Sequence, residues 1–387
     1  MKRLLLSNTM VIVPGEKLKG VSLLIEAGKI AYTTLGEVKA DEVIDLAGKT
    51  VFPGFIDVHV HGAAGVDVMS ADLDALVRMA EFLARHGVTR WLPTFVPAAE
   101  ENYRRSVETI DEFMRWQKGK PVAQVAGLHY EGPFVNEKQC GALHEQYFRT
   151  FENDGELDSL PVLASDNAKH MMTLAPEVPG GVELIKKLKS KGWTVSIGHT
   201  RADIETLDAA RAAGAKHITH FFNAMTGLHH RDQGVVGWGL INDDVTCDFI
   251  ADGVHVHPDM LKFLYKTKTP QRLMMISDSV LPAGLGDGDY EVWGEKIKVE
   301  NGRTSNQRGS IAGSVITTLD AVRLMASLGV NEYELSQMAS GNPAVLLGIQ
   351  QQFGWIRKGA PADLVAIDEN GDAVLTVIEG EIVHRAV

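Results

Sequence analysis

Two textures alternate along the chain. Over residues 1–52 the apolar positions recur every second residue in short runs, Val21–Ile25 and Glu42–Leu46 among them, broken by glycine-bearing turns. That period predicts short antiparallel strands with one buried face. The opening Met1–Leu6 reads as the first of them rather than as a signal peptide, because its apolar run stops at Ser7-Asn8-Thr9 with no cleavage site behind it. The same period returns in Asp363–Ile367, Ala373–Ile378 and Glu381–His384, after the turn-rich Arg357–Ala362. The two termini are therefore expected to pair into one small β-sandwich domain, residues 1–52 plus 355–387.

Between them the pattern changes to apolar or β-branched segments, most followed by a helical period. Eight such segments stand out: 55–60, 89–95, 125–130, 170–174, 194–197, 217–221, 246–250 and 273–276. Helices are expected over Ala71–Arg85, stopped by Gly87, and over Val182–Lys191, stopped by Gly192. Eight strand–helix units predict an α/β fold, a (β/α)8 TIM-like barrel over residues 53–354. No Gly-x-Gly-x-x-Gly follows the first strand, which weighs against a doubly wound open sheet.

Composition narrows the partners. Of 387 residues, 45% are apolar and 23% charged, ordinary for a globular protein and unlike a disordered or membrane-spanning one. A formal net charge of −12 repels polyanions, so neither nucleic acid nor an anionic membrane is an expected partner, and an anionic substrate must find local positive charge. Two cysteines, Cys140 and Cys247, make no disulfide framework and fit a reducing cytoplasm.

In a barrel the C-terminal strand ends build the active site. Here they carry His59, His61, Glu131, His199, His220, His255 and Asp278. His59 and His61, at i and i+2, share one strand face and could bind one ion, although the spacing alone favours a hydrogen-bonded structural pair. His199 and His220 end adjacent strands, and Glu131 ends the third; alone, each histidine is more often a satisfied buried group and Glu131 a capping or salt-bridged carboxylate, but convergence of three on one axis points to a metal. Asp278 comes after four apolar residues and Ser277, at a buried strand end where an unpaired carboxylate is costly. His170 and His217 open their strands and His86 ends a helix, so none of the three is assigned a role; His257 and His384 are likewise unassigned.

With these residues in view, the chain resembles the amidohydrolase superfamily and, within it, the N-acetylglucosamine-6-phosphate deacetylases, over nearly its whole length. The motifs that carry this are Pro53-Gly-Phe-Ile-Asp-Val-His-Val-His-Gly62, His129-Tyr-Glu-Gly-Pro-Phe134, Gly198-His-Thr200, Thr219-His-Phe-Phe-Asn-Ala-Met225, Ala251-Asp-Gly-Val-His255, Ser277-Asp278 with Pro282-Ala-Gly284, and Ile311-Ala-Gly-Ser314. The resemblance implies that Glu131, His199 and His220 hold the main divalent metal, zinc first and iron or manganese as alternatives. It implies that His59 and His61 hold a second ion, giving one or two per subunit, and that Asp278 transfers protons. It also implies substrate contacts at Ala142, His144, Asn223, Ala224, Arg231, His255, Ile311, Ala312 and Gly313, and a homodimer. The expected partner is a phosphorylated N-acetyl amino sugar, whose acetamide would be hydrolysed.

Two segments depart from the family's pattern. Gly141-Ala-Leu-His144 has one residue more than usual before the histidine, and His229-His230-Arg231 is unusually basic and is the expected phosphate contact. Three other readings stay open: the galacto epimer as substrate, a cyclic-amide hydrolase or deaminase on the same scaffold, and a catalytically dead binding protein.

Overall fold

The computed structural model describes residues 3–34 and 38–386; Met1 and Lys2 of the expected first strand lie outside the described residues. The alternating terminal runs do meet in one eight-stranded sheet. Its order is Glu381–Arg385, Ala373–Ile378, Leu364–Ile367, Thr50–Pro53, Arg3–Val13, Glu16–Glu26 and Lys29–Thr34, with Glu42–Asp45 paired to Arg3–Val13. Leu4, Leu6, Leu23, Ile25, Leu364 and Val377 fill a core of its own. Thr50–Pro53 leads through Gly54 directly into the first barrel strand, so this sheet anchors the strand that carries His59 and His61.

The barrel strands are Phe55–Val60, Val88–Phe95, Gly127–Glu131, Lys169–Leu174, Thr194–Ile197, His217–Ile218, Thr246–Ile250 and Leu273–Ile276, each parallel to the next. Strand eight returns to strand one at the mouth: Val60 bridges Ser279, Asp278 N donates to His59 O at 3.0 Å, and His61 N donates to Ser279 O at 2.9 Å. The closing bonds are made by the very residues expected to do chemistry. The first helix begins at Leu73 rather than Ala71, because Asp72 caps it by accepting from Ala75 N at 2.8 Å. It buries Leu76, Met79, Ala80 and Leu83 in the main core.

Two features fall outside the expected pattern. Strand three splits, with Gln124–Val125 pairing only to strand two before Gly127–Glu131 begins. After strand eight the chain forms an antiparallel three-stranded sheet, Gly288–Val292, Glu295–Glu300 and Arg303–Asn306, whose first turn carries Trp293. His170, at the opening of strand four, accepts from Leu163 N at 3.1 Å and stacks on Trp193, a purely local arrangement. No helix among the described residues is long and apolar enough to cross a membrane.

Candidate metal centre and active site

The barrel's parallel register brings residues far apart in sequence to one point. Glu131 Oε1 lies 3.0 Å from both His199 Nε2 and His220 Nε2, which are 3.1 Å from each other. Its other oxygen, Oε2, lies 3.2 Å from His61 Nε2, and His59 Nε2 is 3.1 Å from His61 Nε2. Asp278 Oδ1 closes the group at 3.2 Å from His61 and 3.4 Å from His59. All six are buried.

Three of these side chains reach inward because their backbones turn sharply at the strand ends. His199, His220 and Asp278 have φ of +49°, +35° and +50°. Non-glycine residues rarely adopt that region, and such strain persists only where the surroundings enforce it. Asp248 enforces it at His220, accepting from the His220 N–H at 2.5 Å and bonding His217 Nε2 at 2.9 Å. Beneath His59 and Asp278 sits Asp57, whose carboxylate accepts from the N–H groups of His59 and Ser277 and from the Thr318 hydroxyl.

The donor set fits a cation. His61 Nδ1 contacts Thr94 O at 3.1 Å and His199 Nδ1 contacts Gln139 O at 2.7 Å, so each ring donates outward and turns an Nε2 lone pair inward. Two ligands each about 2.0–2.1 Å from one tetrahedral ion stand roughly 3.3 Å apart, close to the separations found here. Two ligand trios emerge, His59–His61–Glu131 and Glu131–His199–His220. The carboxylates and imidazoles also bias one another's protonation. Burial works against a charged imidazole, yet Asp278 and Glu131 carry His61 up to about 10, and Glu131 carries His220 up to about 9. Burial likewise opposes ionisation of Glu131 and Asp278, but the surrounding imidazoles hold both below the usual carboxylate range. His129, whose ring lies 4.7 Å from that of His59, stays neutral, its pKa pushed far down by burial, and bonds Val58 O and Thr173 Oγ1.

The family model for the amidohydrolase family matches residues 50–383. The chain belongs to that family. This amidohydrolase is 38% identical over 331 residues to the N-acetylgalactosamine-6-phosphate deacetylase of Escherichia coli O157:H7, covering 85% of this chain and 86% of that protein. It is 32% identical over 384 residues to the N-acetylglucosamine-6-phosphate deacetylase of Bacillus subtilis (strain 168), covering 98% of this chain and 96% of that one. Among solved structures, a Mycobacterium smegmatis N-acetyl-D-glucosamine-6-phosphate deacetylase mutant in complex with N-acetyl-D-glucosamine-6-phosphate superposes with a TM-score of 0.89 at 30% identity, covering 99% of this chain and all of that one. The Pasteurella multocida enzyme gives 0.90 at 27% identity, covering 98% and 99%. The protein is a metal-dependent hydrolase.

The other expected contacts of this amidohydrolase lie on segments that follow barrel strands three, six, seven and eight. His255 Nδ1 is bound to Asp252 Oδ2 at 2.7 Å, which fixes its ring. His144 Nε2 lies 3.4 Å from Glu295 of the added sheet, and Ala142 O accepts from Arg308 at 3.0 Å. Asn223 folds back on its own loop, donating to His220 O at 3.2 Å, while Ala224, at φ +50°, accepts from Thr200 N. Arg231 is exposed, in a tight turn closed by two bonds between His229 and Asp232. Ile311 is half-buried and Ala312 buried, its N–H donating to Thr304 at 3.1 Å.

Gly313 has a steric task. At φ +60°, a Cβ there would lie 2.5 Å from Val280 Cγ1 and 2.9 Å from Asp278 O. Gly313→Ala is therefore expected to lower Tm by several degrees and to reduce turnover by shifting Asp278. A raised KM at unchanged Tm, read by thermal melting beside steady-state kinetics, would mean a role in substrate contact alone.

Asp57, Asp248 and Trp293 escaped the sequence reasoning. The first two carried a signal, each being an aspartate flanked by apolar neighbours within a buried strand, where only a partnered carboxylate is stable. Trp293 sits edge-on to His61, ring centroids 5.1 Å apart, but belongs to a sheet outside the barrel pattern.

Proposed function

We propose that this chain hydrolyses the acetamide of N-acetyl-D-glucosamine 6-phosphate to D-glucosamine 6-phosphate and acetate. The observation that carries this is the convergence of Glu131, His199 and His220 beside the buried carboxylate of Asp278, in a chain whose relatives bear that activity in their names. Glu131, His199 and His220 would hold the main ion, zinc by preference for this nitrogen and oxygen set, with iron or manganese as alternatives; His59 and His61 would hold a second. When bound, such an ion supplies Lewis acidity, which brings the pKa of water from 15.7 to roughly 7.

The chain's own residues do the rest. Asp278 takes a proton at a carboxylate oxygen as water adds to the acetamide carbon, forming the C–O bond. His255, its ring fixed by Asp252, or His144 would donate to the developing oxyanion. Asp278 then returns the proton to the amine nitrogen as the C–N bond breaks. The basic His229–Arg231 turn would take the phosphate, with Asn223, Ala224 and the 311–313 segment along the sugar. A cytoplasmic homodimer completes the reading.

A second reading has a specific observation behind it, since the 38%-identical relative is named for the galacto epimer. Acetate release by metal-supplemented protein from the gluco and galacto 6-phosphates and from unphosphorylated N-acetylglucosamine tests both. Preference for the phosphorylated gluco sugar is expected; a galacto preference selects the second reading, and no acetate from any of the three rejects both.

A further inference from the structure

His199 is gripped from outside the metal centre by the loop after strand three. Its Nδ1 donates to Gln139 O at 2.7 Å, and its backbone O accepts from Asn136 N at 2.9 Å. The Asn136 side chain shapes the stretch between these two bonds. Its Oδ1 accepts from Lys138 N at 2.9 Å and so caps the short turn Glu137–Gln139, which presents the Gln139 carbonyl. The same loop runs on through Gly141 to Ala142 and His144.

Glu177, half-buried in the segment after strand four, ties that loop to the backbone that follows His199. Its Oε1 accepts from Asn136 Nδ2 at 2.8 Å and from Arg201 N at 2.6 Å, and its Oε2 accepts from the Thr200 hydroxyl at 2.6 Å. Thr200 Oγ1 accepts in turn from Ala202 N at 3.0 Å. One side chain therefore joins the segments after strands three and five, on either side of a histidine whose φ is +49°. A backbone in that region persists only where its surroundings enforce it. The ring of His199 is set by the same carboxyl group through Asn136 and the turn it caps.

Resting on the metal centre proposed above, we infer that Glu177 is a positioning residue: it clamps the 136–144 loop to His199, so that ion binding through His199 and order in that loop are coupled. The coupling runs both ways. Loosening the loop weakens the ion, and an ion that fixes the His199 ring steadies the Gln139 carbonyl to which that ring donates. Hydrogen bonds outside a metal's own ligands are worth about 10- to 100-fold in affinity. The clamp needs the shape of Glu177 rather than its charge. A glutamine keeps an oxygen toward Asn136 and Arg201 and donates from its amide to Thr200 Oγ1, whereas an alanine supplies neither.

The test challenges zinc-loaded wild type, Glu177→Gln and Glu177→Ala with a chelator of known affinity, and follows Tm and amide hydrogen exchange over residues 136–144 with and without zinc. Glu177→Ala is expected to hold zinc about 10- to 100-fold more weakly and to exchange the loop amides about 10-fold faster, with the barrel strands unchanged. Glu177→Gln is expected to stay within about 3-fold of wild type on both readings, and zinc is expected to slow exchange in the wild-type loop. Wild-type zinc affinity and loop exchange in Glu177→Ala overturn the inference. So does a Glu177→Gln that fails as Glu177→Ala does, which would assign the effect to charge. If Glu177→Ala melts early, Asn136→Ala, which leaves Glu177 and Thr200 in place, decides it by the same two readings. Wild type that takes up no zinc overturns the metal centre and this inference together, whereas uptake that is equal in wild type and Glu177→Ala overturns this inference alone.

Discussion

Asp278→Asn is expected to lower kcat by about 10²- to 10⁴-fold while KM and the ion at Glu131, His199 and His220 stay in place. That range corresponds to roughly 3–5 kcal/mol of transition-state stabilisation. The size follows from the double duty proposed for one carboxylate, as base toward water and as acid toward the amine. An asparagine amide keeps the shape but can do neither. Asp278 is not a member of the Glu131–His199–His220 trio, so removing its charge leaves those three donors converging as before. It does lie 3.2 Å from His61 and 3.4 Å from His59, so any second ion there should bind more weakly. Metal analysis beside steady-state kinetics separates the two effects. Turnover within a few-fold of wild type would remove Asp278 from proton transfer. Loss of all metal would make it a structural anchor instead.

Where Asp278 sits also shows what sequence could and could not convey. Periodicity reports which face of a segment is buried, and burial follows strand and helix period, so the eight barrel strands were legible to within a residue or two at most ends. The pairing of both termini into one sheet was legible for the same reason. The chemical residues were legible because polar groups at the ends of apolar strands are conspicuous. What periodicity does not contain is direction beyond the strand. His199, His220 and Asp278 reach the centre through left-handed backbones, enforced by bonds from Asp248 and from the strand-one closure. Those bonds join positions tens to hundreds of residues apart. The sheet over residues 288–306 was missed because it lies outside the barrel's repeat, and with it went Trp293 and Glu295. Among the substrate contacts that the resemblance implies, His255 has its ring fixed by Asp252 and Gly313 packs closely against Asp278 O and Val280.

Glu131→Gln should do more than remove one ligand. Its two oxygens are divided, Oε1 lying 3.0 Å from His199 and His220 and Oε2 lying 3.2 Å from His61, so one carboxylate serves both trios. A neutral amide keeps one acceptor and turns an N–H₂ toward imidazole nitrogens or an ion. Metal affinity should therefore fall at both positions together, by at least about 100-fold, beyond the 10- to 100-fold typical of losing an outer hydrogen bond. Metal content after dialysis should drop to near zero and activity with it, recovered only in part by excess ion. His61→Asn is the informative contrast, because it touches only the strand-one trio. If the protein binds two ions, that variant should keep one and Glu131→Gln none. If it binds one, His61→Asn should keep its full metal content while Glu131→Gln still loses it. Full metal retention by Glu131→Gln would mean that the convergence of Glu131, His199 and His220 is a buried ion-pair network rather than a metal centre.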